Sequence, residues 1–276
     1  MTQSSLHRSD LSALLAREQR RKGGLGKVLK RGFWGVIAVS VLIASLRTAE
    51  VSLQALWEGL PRLGQWLVRF FPPDFSQLPM FLAATWETLA IAIVGTGTAV
   101  AIALPLSLMV ARNLKLIPWL APILRGILNL LRGIDTAIFA LFFVSLVGLG
   151  PFPGVLGVAF HTTGSMAKLY AEVLETIPEE PMEAIEVTGS DRLRTFAFAV
   201  FPEALPGLVG ITLYLWEYNV RSSVILGIVG AGGIGYELMV SLKLLDFGRL
   251  ATILMLILAM VTIIDAGSAY LRQKLN

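Results

Sequence analysis

Arg132, Asp135, Glu217 and Arg221 are charges set inside runs of Ile, Leu, Val, Ala and Phe. The first two are three residues apart and the last two four apart, so each acid–base couple falls on one face of a helix and can neutralise itself. A lone charge at the centre of a bilayer costs about 2.5–3.5 kcal/mol on insertion scales, so partners or water are required. Two chemistries fit. Either both couples are structural ion pairs, or Arg132 and Arg221 line a path for an anion while Asp135 and Glu217 hold them and prevent tight trapping. His161, with Thr162, Thr163, Ser165 and then Lys168, adds a polar band to another apolar run. It reads as a histidine satisfied by helix packing or as a contact to solute. The other histidine, His7, lies in the leader, so no metal-ligand spacing exists. Without cysteine there is neither a thiolate site nor a disulfide framework. No nucleophile–base constellation stands in the apolar runs, which argues against a membrane-embedded enzyme.

The elements that must position these residues follow from composition. Of 276 residues 55% are hydrophobic and 15% charged, with a mean hydropathy of +0.72; a soluble domain carries roughly 25% charged residues. An all-α polytopic membrane protein is expected, with about six transmembrane helices of about 20 residues each. Residues 1–32 form a basic leader that has eight Lys and Arg, with Leu11, Leu14 and Leu15 at helical spacing, readable as a short amphipathic helix or a frayed tail. No aromatic residues interleave its basic residues, so nucleic-acid binding is not expected. Phe33 to Leu46 has the size of a secretory apolar region, but no small-x-small cleavage site follows, so it reads as an uncleaved first crossing. Within 33–85 the segment Val51 to Phe75 reads as an in-plane helix with an aromatic belt, ended by Pro72 and Pro73.

Further crossings are expected from Trp86 to Ala111, Ile127 to Gly148, Val155 to Tyr170, Leu205 to about Gly235 and Leu250 to Leu271. Six crossings put both termini on one side, and that side collects sixteen Lys and Arg against six on the other, which marks it as cytoplasmic. Gly230, Gly232 and Gly235 have the spacing of a dinucleotide fingerprint, yet that motif needs a strand before it and an acidic residue about twenty positions on. Here, with Gly233, the glycines end a membrane helix, and they suit a break lining a gate or water-filled path.

The polar loop 171–203 lies between two crossings. Thr176 and Glu179 have capping-box spacing and Pro178 suits a first turn, so a helix is expected from about Ile177. Gly189 stops it, and a second short helix runs from Asp191 through Phe196, Phe198 and Phe201 until Pro202. Glu183 and Ala184, a glycine six positions after the glutamate at Gly189, and a proline thirteen further at Pro202 resemble the loop by which permeases of ATP-binding-cassette (ABC) importers grip their ATPase. Ile185 stands where that family usually has alanine, and Ala199 and Phe201 supply its apolar pair. The resemblance implies that the first helix lies in a groove on the ATPase and that Glu183 meets a basic residue there. The chain has no glycine-lysine-serine/threonine phosphate loop, so ATP and Mg would be bound by a partner ATPase, with no cofactor in this chain.

Beyond the loop, the runs ETLAIAIVGTGTAVAIALPLSLMVARN, HTTGSMAKLYAEVLETI and WEYNVRSSVILGIVGAGGIGYEL resemble the phosphonate-type permease family, in order and spacing, over most of 86–272. The resemblance implies a type I ABC importer permease fold in the bacterial inner membrane. It implies two identical copies around a path, each gripping one subunit of an ATPase dimer, and an extracytoplasmic substrate-binding protein delivering phosphonate, phosphite or hypophosphite. Ile134 and Asp135 depart from the proline and glutamate common in relatives, which suggests a narrower or different substrate. An ion-driven anion carrier and a permease for an unrelated small solute remain the alternatives.

Overall fold

The computed structural model describes residues 30–113, 117–178, 180–187 and 189–275, and within them every side chain except those of Glu186, Arg192, Leu193 and Leu275. The expected amphipathic leader helix and Glu179 of the expected capping box lie outside the described residues. The chain divides into two compact units, Met1–Gln65 and Trp66–Asn276. The first holds α1 (Lys30–Thr48), an apolar helix long enough to cross a membrane. Helix α2 (Leu53–Arg69) follows Glu50, which has a positive φ.

In the second unit α3 (Leu78–Val110) begins eight residues before the expected crossing, with a proline in its first turn, where the missing N–H costs nothing. Its 33 residues span about 50 Å at 1.5 Å per residue, more than a hydrocarbon core of about 30 Å. The single crossing expected from Ile127 to Gly148 is instead two helices, α4 (Ala121–Gly133) and α5 (Thr136–Val147), bent by 88°. Ile134 is extended, and the Asp135 carboxylate caps α5 by accepting from the Ala137 N–H at 2.8 Å. An aspartate beside Gly133 therefore starts a new helix where the apolar pattern alone continues the old one.

Helix α6 (Pro151–Glu175) is the hub, packed against α3, α4, α5 and α9 (Phe201–Leu226). Small residues let it approach its neighbours. A Cβ at Gly164 would stand 2.7 Å from the backbone N of Arg132 and 2.8 Å from the Leu128 carbonyl, and one at Gly157 would stand 2.9 Å from the Ala140 N. Close backbone approach is how helices gain dispersion contact where lipid removes the hydrophobic drive to associate. Ala99, Ala103, Met166, Tyr170, Leu174 and Val200 bury one core cluster, and Phe81, Ala92, Val220, Ile234, Ile253 and Met260 another.

A π-helical turn, Phe196–Val200, runs directly into α9, and a second, Gly227–Ala231, precedes α10 (Gly233–Lys243); α11 (Phe247–Leu275) is the last described helix. Pro202 therefore does not stop the second loop helix. It follows the π-helical turn directly, and the helical run continues through it into α9. Among the described residues four helices are long and apolar enough to cross a membrane, or five if the bent α4–α5 pair is one span. Helix α6 is long enough but carries the His161 to Lys168 polar band and is not among them. The chain is an all-α, multi-pass membrane protein.

Candidate coupling loop and translocation face

Within the loop 171–203, Thr176 C-caps α6 and donates its hydroxyl to the Val173 carbonyl at 2.7 Å. Thr176 closes the helix before it rather than capping the next one. Ile177 and Pro178 thus lie before helix α7 (Glu180–Glu186) rather than in its first turn. Its Met182 and Ile185 pack on the core that holds α6 and α9, with Phe196 and Phe201 beside them. Glu183 and Ala184 are exposed, and Val187 is 88% exposed. Gly189 turns the chain at φ +78°, a conformation that L side chains rarely adopt. Asp191 then opens α8 (Arg192–Thr195), its side chain accepting from the Arg194 N–H at 2.9 Å. The exposed rim carries carboxylates and an outward Phe198, at 72% exposure. The arrangement is an acidic and apolar protrusion seated on the bundle core.

The charges of the spans are paired differently from the expectation. Glu217 meets Arg272 of α11 at 2.7 Å, and Arg221 meets Asp265 of α11 at 2.7 Å, so neither belongs to the other. Side chains four apart on one helix competed with partners on a packed neighbour, and the neighbour won. Arg132 and Asp135 likewise do not form a couple on one helix face, because the 88° break separates them and Asp135 spends its carboxylate on the α5 cap.

His161 spans that break. Its Nδ1 lies 2.8 Å from the Ile134 carbonyl oxygen, which only accepts, so Nδ1 carries the proton. The ring lies 6.3 Å from that of Tyr218 on α9. On α9 exposed Tyr214, Tyr218, Arg221 and Ile225 recur at three- and four-residue intervals and form one face. Behind it Asn219 is fully buried, donating to Thr96 Oγ1 at 2.8 Å and accepting from Thr162 at 3.1 Å. These bonds tie α3, α6 and α9 into one unit beneath the polar face.

At the glycine tract the backbone takes positive φ at Gly230, Gly232 and Gly233, while Gly235 is packed so that a Cβ would meet the Val224 carbonyl. The Ile234 N–H, freed by the break, donates to Thr88 Oγ1 at 2.9 Å. The carboxylate of Glu87 lies over Gly232, in the space that a Cβ there would take. Sequence reasoning missed Glu87 at this break, and assigned Asp265 and Arg272 no part in holding α9. The only signal was an acid or base in an otherwise apolar helix.

An all-α bundle with a broken span, a polar helix face and an exposed acidic loop is the architecture of a multi-pass membrane protein. Residues 103–276 match the family described as binding-protein-dependent transport system inner membrane component, and the chain belongs to that family. The phosphite transport system permease protein PtxC of Stutzerimonas stutzeri is 37% identical over 96% of this chain and 97% of its own length. HtxC of the same organism is 43% identical over 86% of this chain and 84% of its own. The phosphate-import permease protein PhnE of Mycolicibacterium smegmatis is 36% identical over 90% of this chain, which spans 47% of that protein. The fold also resembles a chain of the inward-facing MetNI methionine ABC transporter, with a TM-score of 0.65 and 22% identity over 74% of this chain and 99% of that one.

Proposed function

We propose that this chain is the permease subunit of an ATP-driven importer of phosphonate or a related oxyanion such as phosphite or hypophosphite, working as a homodimer in the inner membrane. Each copy grips one subunit of an ATPase dimer that binds ATP and Mg, and an extracytoplasmic binding protein delivers the solute. In this reading α6 and the bent α4–α5 pair complete six crossings, so both termini and the loop 171–203 share one side, and the excess of Lys and Arg on that side supports its being cytoplasmic. The observation that carries the reading is α7, a helix seated on the α6–α9 core by Met182 and Ile185 with Glu183 and Ala184 left outside it. The relatives with phosphite or phosphate import in their names support the substrate class.

The coupling follows from packing. Met182, Ile185, Phe196 and Phe201 rest on one core, so a push on α7 moves the end of α6 and the start of α9 together. Closure of the ATPases on ATP would draw two such loops together and bias the pair toward the state open outward, the differential contact being made at the loops. The solute then passes Arg132, His161 and Arg221, with Asp135 and Glu217 positioned by the α5 cap and by Arg272. Gly230, Gly232, Gly233 and Gly235 form the gate. The chain itself makes and breaks no covalent bond.

Uptake of labelled phosphite into vesicles tests this, with the chain reconstituted alone or with its ATPase and binding protein. Uptake is expected only from the complete set, and Glu183→Ala is expected to lower it at least about tenfold, the loss of one charge-assisted contact. Uptake by the chain alone would identify an ion-driven carrier; ATP-dependent uptake of another solute only, a permease of different specificity.

A further inference from the structure

Along the seam where α4 lies against α6, polar side chains recur on both helices, at Arg125, Asn129 and Arg132 on α4 and His161, Lys168 and Glu172 on α6. Gly164 closes the seam near Arg132. Toward the end of α6 it opens into a cleft of about 200 Å³ lined by Arg112, Arg125, Asn129, Lys168, Glu172 and Glu175. This is room for one small tetrahedral ion with water, each water occupying about 30 Å³. The cleft touches neither the exposed face of α7 nor the α9–α11 ion pairs.

Its charges are not spent on one another. Arg125–Glu175 and Lys168–Glu172 both stand at 3.9 Å, against 2.7 Å for Arg221–Asp265 and for Arg272–Glu217. Glu175 is committed elsewhere, accepting from the backbone N–H of Arg112 at 2.8 Å. Arg125 also donates to the Val110 carbonyl. The guanidinium of Arg112 has no acidic partner among the described residues. Three cations against two carboxylates leave one net positive charge. Pairs this loose and half-exposed contribute little on their own. An anion offering several oxygens gains charge-assisted bonds from the same groups, which the planar fork of arginine suits geometrically.

We infer that this cleft binds a tetrahedral phosphorus oxyanion through Arg112, Arg125 and Lys168, the ion being either free phosphate or the phosphodiester of an anionic lipid head group. The binding stands on the cleft alone. That it reports imported product, or lipid, to α7, which begins five residues beyond Glu175, rests on the proposed transport role.

The test uses the full chain in lipid nanodiscs. In discs of phosphatidylcholine alone, saturable binding of radiolabelled inorganic phosphate is measured for the wild type and for Arg112→Gln/Lys168→Gln. In discs that include phosphatidylglycerol, retention of that lipid through detergent washing is compared for the same pair. Phosphate binding weakened about a hundredfold in the double variant, tenfold for each lost cation, supports a free-ion site. Phosphatidylglycerol retained by the wild type and lost by the variant, with no phosphate bound, supports a head-group site. No difference in either arm overturns the proposal. Glu172→Gln guards against misfolding of the double variant, since removing a carboxylate from the cleft should tighten whichever ligand binds by about threefold; unchanged binding there also counts against the site. Vesicle uptake that fails while binding persists would remove the transport role and leave the site standing.

Discussion

Glu217 and Arg221 show how burial, not spacing, decides what a charge is worth. The Glu217 side chain is 11% exposed and Asp265 42%, although both ion pairs measure 2.7 Å. Removing the partner of a buried carboxylate leaves an uncompensated charge and costs about 3–5 kcal/mol. On the proposed water-filled path, removing the partner of a half-exposed one costs about 1 kcal/mol or less. Arg272→Ala is therefore expected to destabilise the chain several-fold more than Arg221→Ala, measured by denaturant unfolding in mixed micelles; equal losses would mean the two pairs share one environment. A second residue, Asp74, lies outside the spans in the connector before α3. The Ser76 backbone N–H, at 2.8 Å, and then the Ser76 hydroxyl and Arg249 hold its carboxyl below the ordinary 3.8. With the folded value depressed, its stabilising contribution is complete above about 3.8 and is lost as the pH falls from there through the lower folded value. Thermal unfolding followed from pH 7 to pH 3 should show the wild type losing more stability than Asp74→Asn below about pH 4, and equal slopes would remove Asp74 from the acid response.

At the scale of elements, α6 is defined by how closely it approaches α4 and α5. A methyl at Gly164 meets the backbone of Arg132 and Leu128, which cannot rotate away, whereas a methyl at Gly97 on α3 meets nothing within 4 Å. Gly164→Ala is expected to cost about 1–3 kcal/mol by overpacking, while Gly97→Ala should be neutral or slightly stabilising through its better helix propensity. Unfolding midpoints of the two variants give the comparison, and matched midpoints would show that α6 can shift at no cost. The helices α3, α9 and α11 were legible because long unbroken apolar runs have few other solutions in lipid. The helix, glycine turn and helix of the loop were legible from Gly189 and Asp191. The α4–α5 bend was written only in Gly133 and Asp135, a stop and a cap inside a run whose hydropathy does not change. Pro202 misled because a helical run can pass through a proline that follows a π-helical turn. The pairing of Glu217 and Arg221 with α11 was not readable at all, since spacing describes one helix and says nothing of which other helix packs beside it.

At the scale of the whole molecule, one column joins the loop to the glycine break. The segment Phe196–Ala231 runs 36 residues from the exposed loop, past Arg221, to the glycine break, about 54 Å at 1.5 Å per residue. If force applied at α7 travels as a rigid movement of this column, its stiffness between loop and polar face is a requirement rather than a detail. Gly210 lies between the two ends, and nothing stands within 4 Å of where its Cβ would be, so a larger residue is tolerated there sterically. Gly210→Pro removes the N–H that bonds the preceding turn and clashes with the carbonyl four residues back, kinking the column at a local cost of about 3 kcal/mol. The variant is expected to co-purify with the ATPase, because α7 and its seat on Met182 and Ile185 are untouched. Uptake should nevertheless fall at least about tenfold, a barrier change of about 1.4 kcal/mol, and the ATPase should lose its stimulation by the binding protein. Gly210→Ala, which leaves the backbone bond in place, should preserve both. Full uptake by Gly210→Pro with the ATPase still bound would show that the movement reaches the glycine break by another route, through α6 and the Asn219 bonds rather than along α9.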